Sequence, residues 1–257
     1  MNGKITIIEA GRTFARLADR KGDFADWVAA AMGVSPEDLR VVAAFNGHPL
    51  PPAEEVSAVV MTGSHAMVTD REPWSEKLAG WLADAVARDI PVLGICYGHQ
   101  LLAHALGGRV GYHPRGGEVG TVNIRLLPEA ANDPLFQGLP PLFSAHVYHH
   151  QSVLALPPGA RRLAESHTEA NQAFAFGKRA WGVQFHPEFD EVVMEAYLVA
   201  EKDQLVREGF DVEALRGELR RTTSAESLLR RFHQLVAGDA PPMHRCPAAV
   251  NPGSHPR

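Results

Sequence analysis

The sequence predicts an α/β protein: a mostly parallel central sheet flanked by helices, with a few antiparallel strands and a helical C-terminal extension. Three observations carry this reading. Short runs such as "KITIIEA" (4–10), "EVSAVVMTG" (55–63) and "PVLGI" (91–95) are apolar throughout, as strands buried on both faces are. They alternate with segments of helical periodicity, which is the order of a parallel sheet covered by helices. After Gly108, strand-like segments follow one another separated only by turns, which fits antiparallel additions.

The elements follow in order. "KITIIEA" forms a first strand ending at Gly11, and residues 22–33 form a helix with Phe24, Trp27 and Val28 inward, closed by Gly33. "LRVVAAF" (39–45) and "EVSAVVMTG" form the second and third strands. After the loop "SHAMVTDREP", a helix from about Trp74 to Arg88 places Trp74, Leu78, Trp81, Leu82 and Val86 at three- and four-residue steps. "PVLGI" is the fourth strand. The helix after Cys96 turns Leu101, Leu102 and Ala105 inward and stops at Gly107–Gly108. "EVGTVNIRLL" (118–127), "LFSAHVYHH" (142–150), "ARRLAES" (160–166), "NQAFAFG" (171–177) and "AWGVQF" (180–185) are the later strands, the last returning toward the main sheet. From Glu191 to about Val236 the pattern is helical, broken near Gly209, and the Pro- and Gly-rich remainder is expected to fray or drape over the surface. Residues 1–190 are therefore expected to form the main domain and 191–257 a helical extension packed on it.

Composition narrows the class. A chain of 257 residues, 45% hydrophobic and 21% charged, suffices for one large core and at most two domains. A net charge of −5 offers no broad attraction to nucleic acid or anionic membranes, so a small molecule or a protein is the expected partner. The two cysteines, Cys96 and Cys246, argue against a disulfide framework and for a reducing compartment. The N-terminus turns polar too early for a signal peptide, and no apolar stretch reaches transmembrane length. A cytoplasmic protein is expected.

Chemistry concentrates in "GICYG" (94–98). Glycines flank Cys96 where a strand ends and a helix begins, the form of a nucleophile held on a sharp turn. A cysteine there lies at the positive end of a helix, which favours thiolate. A free cysteine is more often a small buried hydrophobe, so a second motif has to support the reading. "GVQFHPEF" (182–189) does so: His186 follows an apolar strand, and Glu188, two residues on, shares its face if the chain is extended. Cysteine, base and orienting carboxylate are the set that nucleophilic catalysis requires. Acyl chemistry also needs N–H donors for the oxyanion. Gly63, closing "VVMTG" one βα unit earlier, and Tyr97, directly after the cysteine, are placed to supply them.

At "GICYGHQLLAHALGG", "QFHPEF" and "MTGS" the chain resembles the class I glutamine amidotransferases, with a Cys–His–Glu triad; "MTGS" resembles the form in the glutaminase domain of GMP synthetase and its stand-alone relatives. The resemblance extends over about residues 56–190. It implies that Cys96 is the nucleophile, His186 its base and acid, Glu188 the residue orienting His186, and Gly63 and Tyr97 the oxyanion hole. Gln100 would hold the α-amino-acid end of the substrate, and Tyr148, His150 and Gln151 would line its edge. His150 and Gln151 stand where the family often has Gly and Asp, and an imidazole there would narrow or retune the pocket. The implied reaction is hydrolysis of the glutamine side-chain amide through a γ-glutamyl thioester, with no metal and no cofactor.

Other histidines read differently. His146, His149 and His150 have no cysteine or carboxylate at metal-ligand spacing, and on a strand His146 and His150 would share a face while His149 points away. His99 and His104 read as packing or surface residues. The segment after the triad has no room for a synthetase domain, so the ammonia would pass to a separate synthase partner. The alternatives are a stand-alone γ-glutamyl hydrolase or peptidase and a catalytically idle binding module.

Overall fold

The structure, a computed structural model, describes residues 4–238. Cys246 and the Pro- and Gly-rich C-terminal stretch lie outside the described residues. Strands β1 (Lys4–Glu9), β2 (Leu39–Ala43), β3 (Val56–Met61), β4 (Val92–Ile95) and β11 (Ala180–Val183) run parallel, side by side in the order β2-β1-β3-β4-β11. The sheet continues antiparallel through β10 (Ala173–Phe176), β9 (Arg161–Glu165), β6 (Glu118–Leu126) and β7 (Leu142–His149), for nine strands in all. β5 (Arg109–Tyr112) and β8 (Gln151–Ala155) form a separate antiparallel pair.

Both faces of the parallel region are buried, which is why its strands read as unbroken apolar runs. On one face Ile7, Val60, Leu93 and Ile95 pack with Val28 and Met32 of α2 (Phe24–Met32) and with Leu228 and Phe232 of α8 (Thr223–Ala237). On the other, Ile8, Val59, Met61 and Val92 pack with Leu78 and Leu82 of α3 (Pro73–Ala87) and with Leu101 and Leu102 of α4 (Tyr97–Ala105). Ala105 is only partly buried, and Ala103 is fully enclosed. α2 begins with a capping box between Asp23 and Asp26 and ends at Gly33 in the left-handed region, φ 69°.

Three elements were not anticipated. α1 (Ala15–Lys21) is a short, mostly exposed helix that buries only Leu17. β5 holds Gly111, and β8 follows directly on the bend at His150, so neither presents a strand-length apolar run. The C-terminal helical segment is four helices: α5 (Glu191–Ala200), α6 (Lys202–Arg207), α7 (Val212–Gly217) and α8, with the break at Gly209 as expected. Val193, Met194, Tyr197, Leu198 and Leu205 of α5 and α6 pack with Leu17, Phe24 and Trp27 near the C-terminal ends of the parallel strands. No helix among the described residues is long and apolar enough to cross a membrane.

Candidate active site

The carboxyl ends of adjacent parallel strands are where an open α/β sheet leaves a crevice. β3, β4 and β11 are neighbours, and their carboxyl ends lead to Gly63, Cys96 and His186 respectively. This adjacency brings together residues 33 and 90 positions apart in the chain.

Cys96 occupies a strained turn, with φ 50° and ψ −101°. Its backbone N–H donates to Val183 O at 2.9 Å, and its carbonyl accepts the Gln100 N–H at 3.1 Å, which starts α4. The flanking glycines have a direct steric reason. A Cβ on Gly94 would lie 2.4 Å from Gly98 O, and one on Gly98 would lie 2.6 Å from Met61 O. The first turn of α4 thus sits against main chain of β3 and β4 with no space for a methyl group. The Cys96 side chain is buried, with Sγ 3.7 Å from Tyr148 O.

His186 faces the same point. A Cβ on Gly63 would lie 3.1 Å from His186 Cε1 and 3.8 Å from Cys96 Cβ, so imidazole and thiol flank Gly63. His186 Nδ1 donates to Glu188 Oε1 at 2.8 Å, and the Glu188 side chain is fully buried. The contact is made differently from the expected extended chain: residues 187–188 turn, and the turn, not a shared strand face, returns the carboxylate to the ring. The imidazole also stacks on Phe189, centroids 4.0 Å apart, and the backbone N–H of His186 is anchored to His146 O at 2.8 Å. Burial alone would depress the His186 pKa, but the charges of Glu188 and Cys96 and hydrogen bonds to both overcome it and raise it to about 10. The site therefore favours an imidazolium.

Beside Cys96 opens a cavity of about 230 Å³. That is smaller than the roughly 300–1,000 Å³ of drug-sized sites and suits a single amino acid. Gln100, Tyr148, His150 and Gln151 all line it. Gln100 Nε2 donates to Gln151 O at 2.7 Å and to Gln184 Oε1 at 3.0 Å, leaving Oε1 as its free acceptor. The Gln151 side chain is committed to Thr69: its Nε2 donates to Thr69 Oγ1 at 2.5 Å. It fastens the loop after β3. His150 lies past the end of β7, with Nδ1 3.6 Å from Glu208 Oε2, so it does not continue a strand face with His146.

Several wall residues gave no signal in the sequence. Phe14, His65 and Met67 line the cavity, as do Glu201 and Gln204 from the break between α5 and α6 and from α6 itself. Tyr197 of α5 stands behind this wall, its hydroxyl 3.0 Å from Thr13 Oγ1 and 3.3 Å from His65 Nε2. The C-terminal helices therefore help build the cavity, a tertiary contact that no local pattern announces.

The remaining histidines are placed individually. His99 is buried against Phe174 and close under Gly182, and burial lowers its pKa to about 3. His146 contacts Thr121 Oγ1, and burial lowers it to about 4. His149 Nδ1 lies 3.1 Å from Gln151 O and its Nε2 lies 3.4 Å from Glu118 Oε2. Glu118 also accepts from Ser166 and Gln172, so a buried network backs the cavity strand. Among the described residues no group of three or more His, Cys, Asp or Glu side chains is placed to hold a metal.

A thiol at the carboxyl end of a central parallel strand, opposite a histidine–carboxylate pair, is the arrangement of cysteine-nucleophile amidohydrolases. The chain belongs to the glutamine amidotransferase class-I family, whose family model matches residues 41–203. It is 41% identical over 132 residues to the glutamine-hydrolyzing GMP synthase of Thermomicrobium roseum, covering 51% of this chain and 23% of that one. It is also 41% identical over 101 residues to a glutamine-hydrolyzing GMP synthase subunit of Archaeoglobus fulgidus, covering 39% of this chain and 53% of that one. The chain thus spans about a quarter of the length of the full GMP synthases it matches. The crystal structure of a glutamine amidotransferase from Thermotoga maritima shares the fold, with a TM-score of 0.71 at 23% identity over 92% of this chain and 98% of that one.

Proposed function

We propose that this chain hydrolyses the side-chain amide of L-glutamine to glutamate and ammonia. The observation that carries the proposal is Cys96 on its strained turn, beside the His186–Glu188 pair, at the end of an amino-acid-sized cavity. In this reading the Cys96 thiolate attacks the amide carbon, and the N–H groups of Gly63 and Tyr97 receive the oxyanion. His186, held protonated by Glu188, gives its proton to the departing ammonia. Neutral His186 then takes a proton from water, whose oxygen attacks the γ-glutamyl thioester. Glutamate leaves, and the thiolate–imidazolium pair is restored.

Residues 1–190 make up the amidotransferase domain in this proposal and residues 191–257 its helical extension. A relative named as a GMP synthase subunit supports a separate synthase partner that receives the ammonia. A reducing, cytoplasmic setting would keep the Cys96 sulfur unoxidised and so available to react. The test is glutamate and ammonia release from L-glutamine by the purified chain, beside Cys96→Ser. Release by the first alone supports the proposal; silence with and without candidate synthase partners refutes it.

A second reading has one observation in its favour. Met67, His150 and Gln204 line both the cavity and a wider groove of about 640 Å³ that also includes Tyr112, Arg115 and Glu208. That groove has room for a substituent that glutamine lacks, so γ-glutamyl amides and peptides are the competing substrate class. Faster turnover of such compounds than of glutamine would establish it.

A further inference from the structure

Resting on the glutaminase reading, we infer that Glu201, at the break between α5 and α6, is the counter-charge for the substrate's α-ammonium group and so sets specificity for α-amino acids. Among the described residues, Glu201 is the only carboxylate lining the cavity beside Cys96, and neither Lys nor Arg lines it. Of the nearby carboxylates, Glu195 pairs with Arg216 and Glu208 lies 3.6 Å from His150. Among the described residues no cation pairs with Glu201.

The cavity offers few other sites for an ammonium. Gln100 Nε2 is committed to Gln151 O and Gln184 Oε1, and Gln151 O is further occupied by His149 Nδ1. Gln100 contributes one neutral acceptor, Oε1. Glu201 supplies the negative charge that a bound cation would otherwise lose on leaving water. Its field already reaches the walls: burial lowers the His65 pKa while Glu201 opposes that shift, and burial raises Tyr148 with Glu201 adding to it. The carboxylate belongs to the C-terminal helices, so the substrate would be held between the strand ends and a helix that packs over them.

The experiment uses the full chain in the Cys96→Ser background, where binding is read without turnover. Calorimetry compares L-glutamine with 4-carbamoylbutanoate, which is glutamine without its α-amino group. Glu201→Gln should weaken L-glutamine about tenfold, equivalent to about 1.4 kcal/mol, and shift 4-carbamoylbutanoate by less than about twofold. An unchanged melting temperature would show that the variant is folded. Equal weakening of both ligands, or of neither, overturns the inference. Glutamine turnover by the wild-type chain, measured alongside, separates the two failures. Turnover with binding insensitive to Glu201 refutes the role of this residue alone. Absence of both turnover and binding refutes the glutaminase reading and this inference with it.

Discussion

Replacing Gly94 by alanine tests whether main-chain contact holds Cys96 in position. The new Cβ would meet Gly98 O at 2.4 Å, Gly98 C at 2.5 Å and His99 N at 2.8 Å, all of them backbone. Ordinary contact begins at 3.4 Å, so the first turn of α4 must retreat by about 1 Å (3.4 − 2.4) from β4. Overpacking of this kind costs about 1–3 kcal/mol. A 1 Å misplacement of a reacting group lowers turnover by roughly a hundredfold. Steady-state glutaminase assays should therefore show kcat/KM reduced about 100-fold in Gly94→Ala, with a lower melting temperature. Gly80 is the matched control: it is exposed in α3, and a Cβ there meets nothing within 4 Å. Gly80→Ala should raise stability by about 1 kcal/mol through helix propensity and leave kcat/KM unchanged. Wild-type activity and melting temperature in Gly94→Ala would refute the idea that backbone contact fixes Cys96.

Other outcomes follow from the same geometry. Cys96→Ser should lose at least about a thousandfold in kcat, because the alkoxide needed in place of the thiolate is far less accessible; single-turnover assays would detect any residual thioester-independent rate. His186 binds its proton more tightly when folded, so its stabilising contribution is full below about 6.5 and is lost as the pH rises through about 10. The melting temperature should accordingly decline between neutral pH and about 10, and Glu188→Gln, which removes the partner charge, should flatten that decline and slow Cys96 alkylation at neutral pH. Asp133 is fully buried and accepts from the Trp181 indole N–H at 3.0 Å and from the Leu135 N–H at 3.0 Å. Asp133→Ala should cost about 1–3 kcal/mol for each donor it orphans, seen as a lower denaturation midpoint.

The parallel half of the sheet was legible because burial on both faces leaves apolar runs that end at glycines, as at Gly63 and Gly94–Cys96. The nearness of Cys96 to His186 could be anticipated from the motifs, since each follows a strand and adjacent strand ends share a crevice. The return of Glu188 to His186 was anticipated for a different local shape, because i and i+2 residues meet both across an extended face and around a turn. β5 and β8 escaped notice because Gly111 in one and the bend at His150 before the other interrupt the alternation that marks a strand. The cavity's helical wall was illegible for another reason. Glu201, Gln204 and Tyr197 are ordinary helix residues by pattern, and only the docking of α5 and α6 over the strand ends places the first two in the cavity wall and Tyr197 behind it.

The contact of Gly98 with Met61 O has a consequence for how this scaffold can change. Spacing between β3 and the cysteine turn is set where two main chains touch, with no side chain between them to lengthen, shorten or rotate. Substitution therefore has no fine control over the distance on which the bond-making step depends. The cavity's periphery is built the opposite way, from side chains contributed by several separate segments, each replaceable alone. A lineage that altered its substrate would do so at that rim while its chemistry stayed fixed, and a designer seeking a new amide substrate should start from the same boundary.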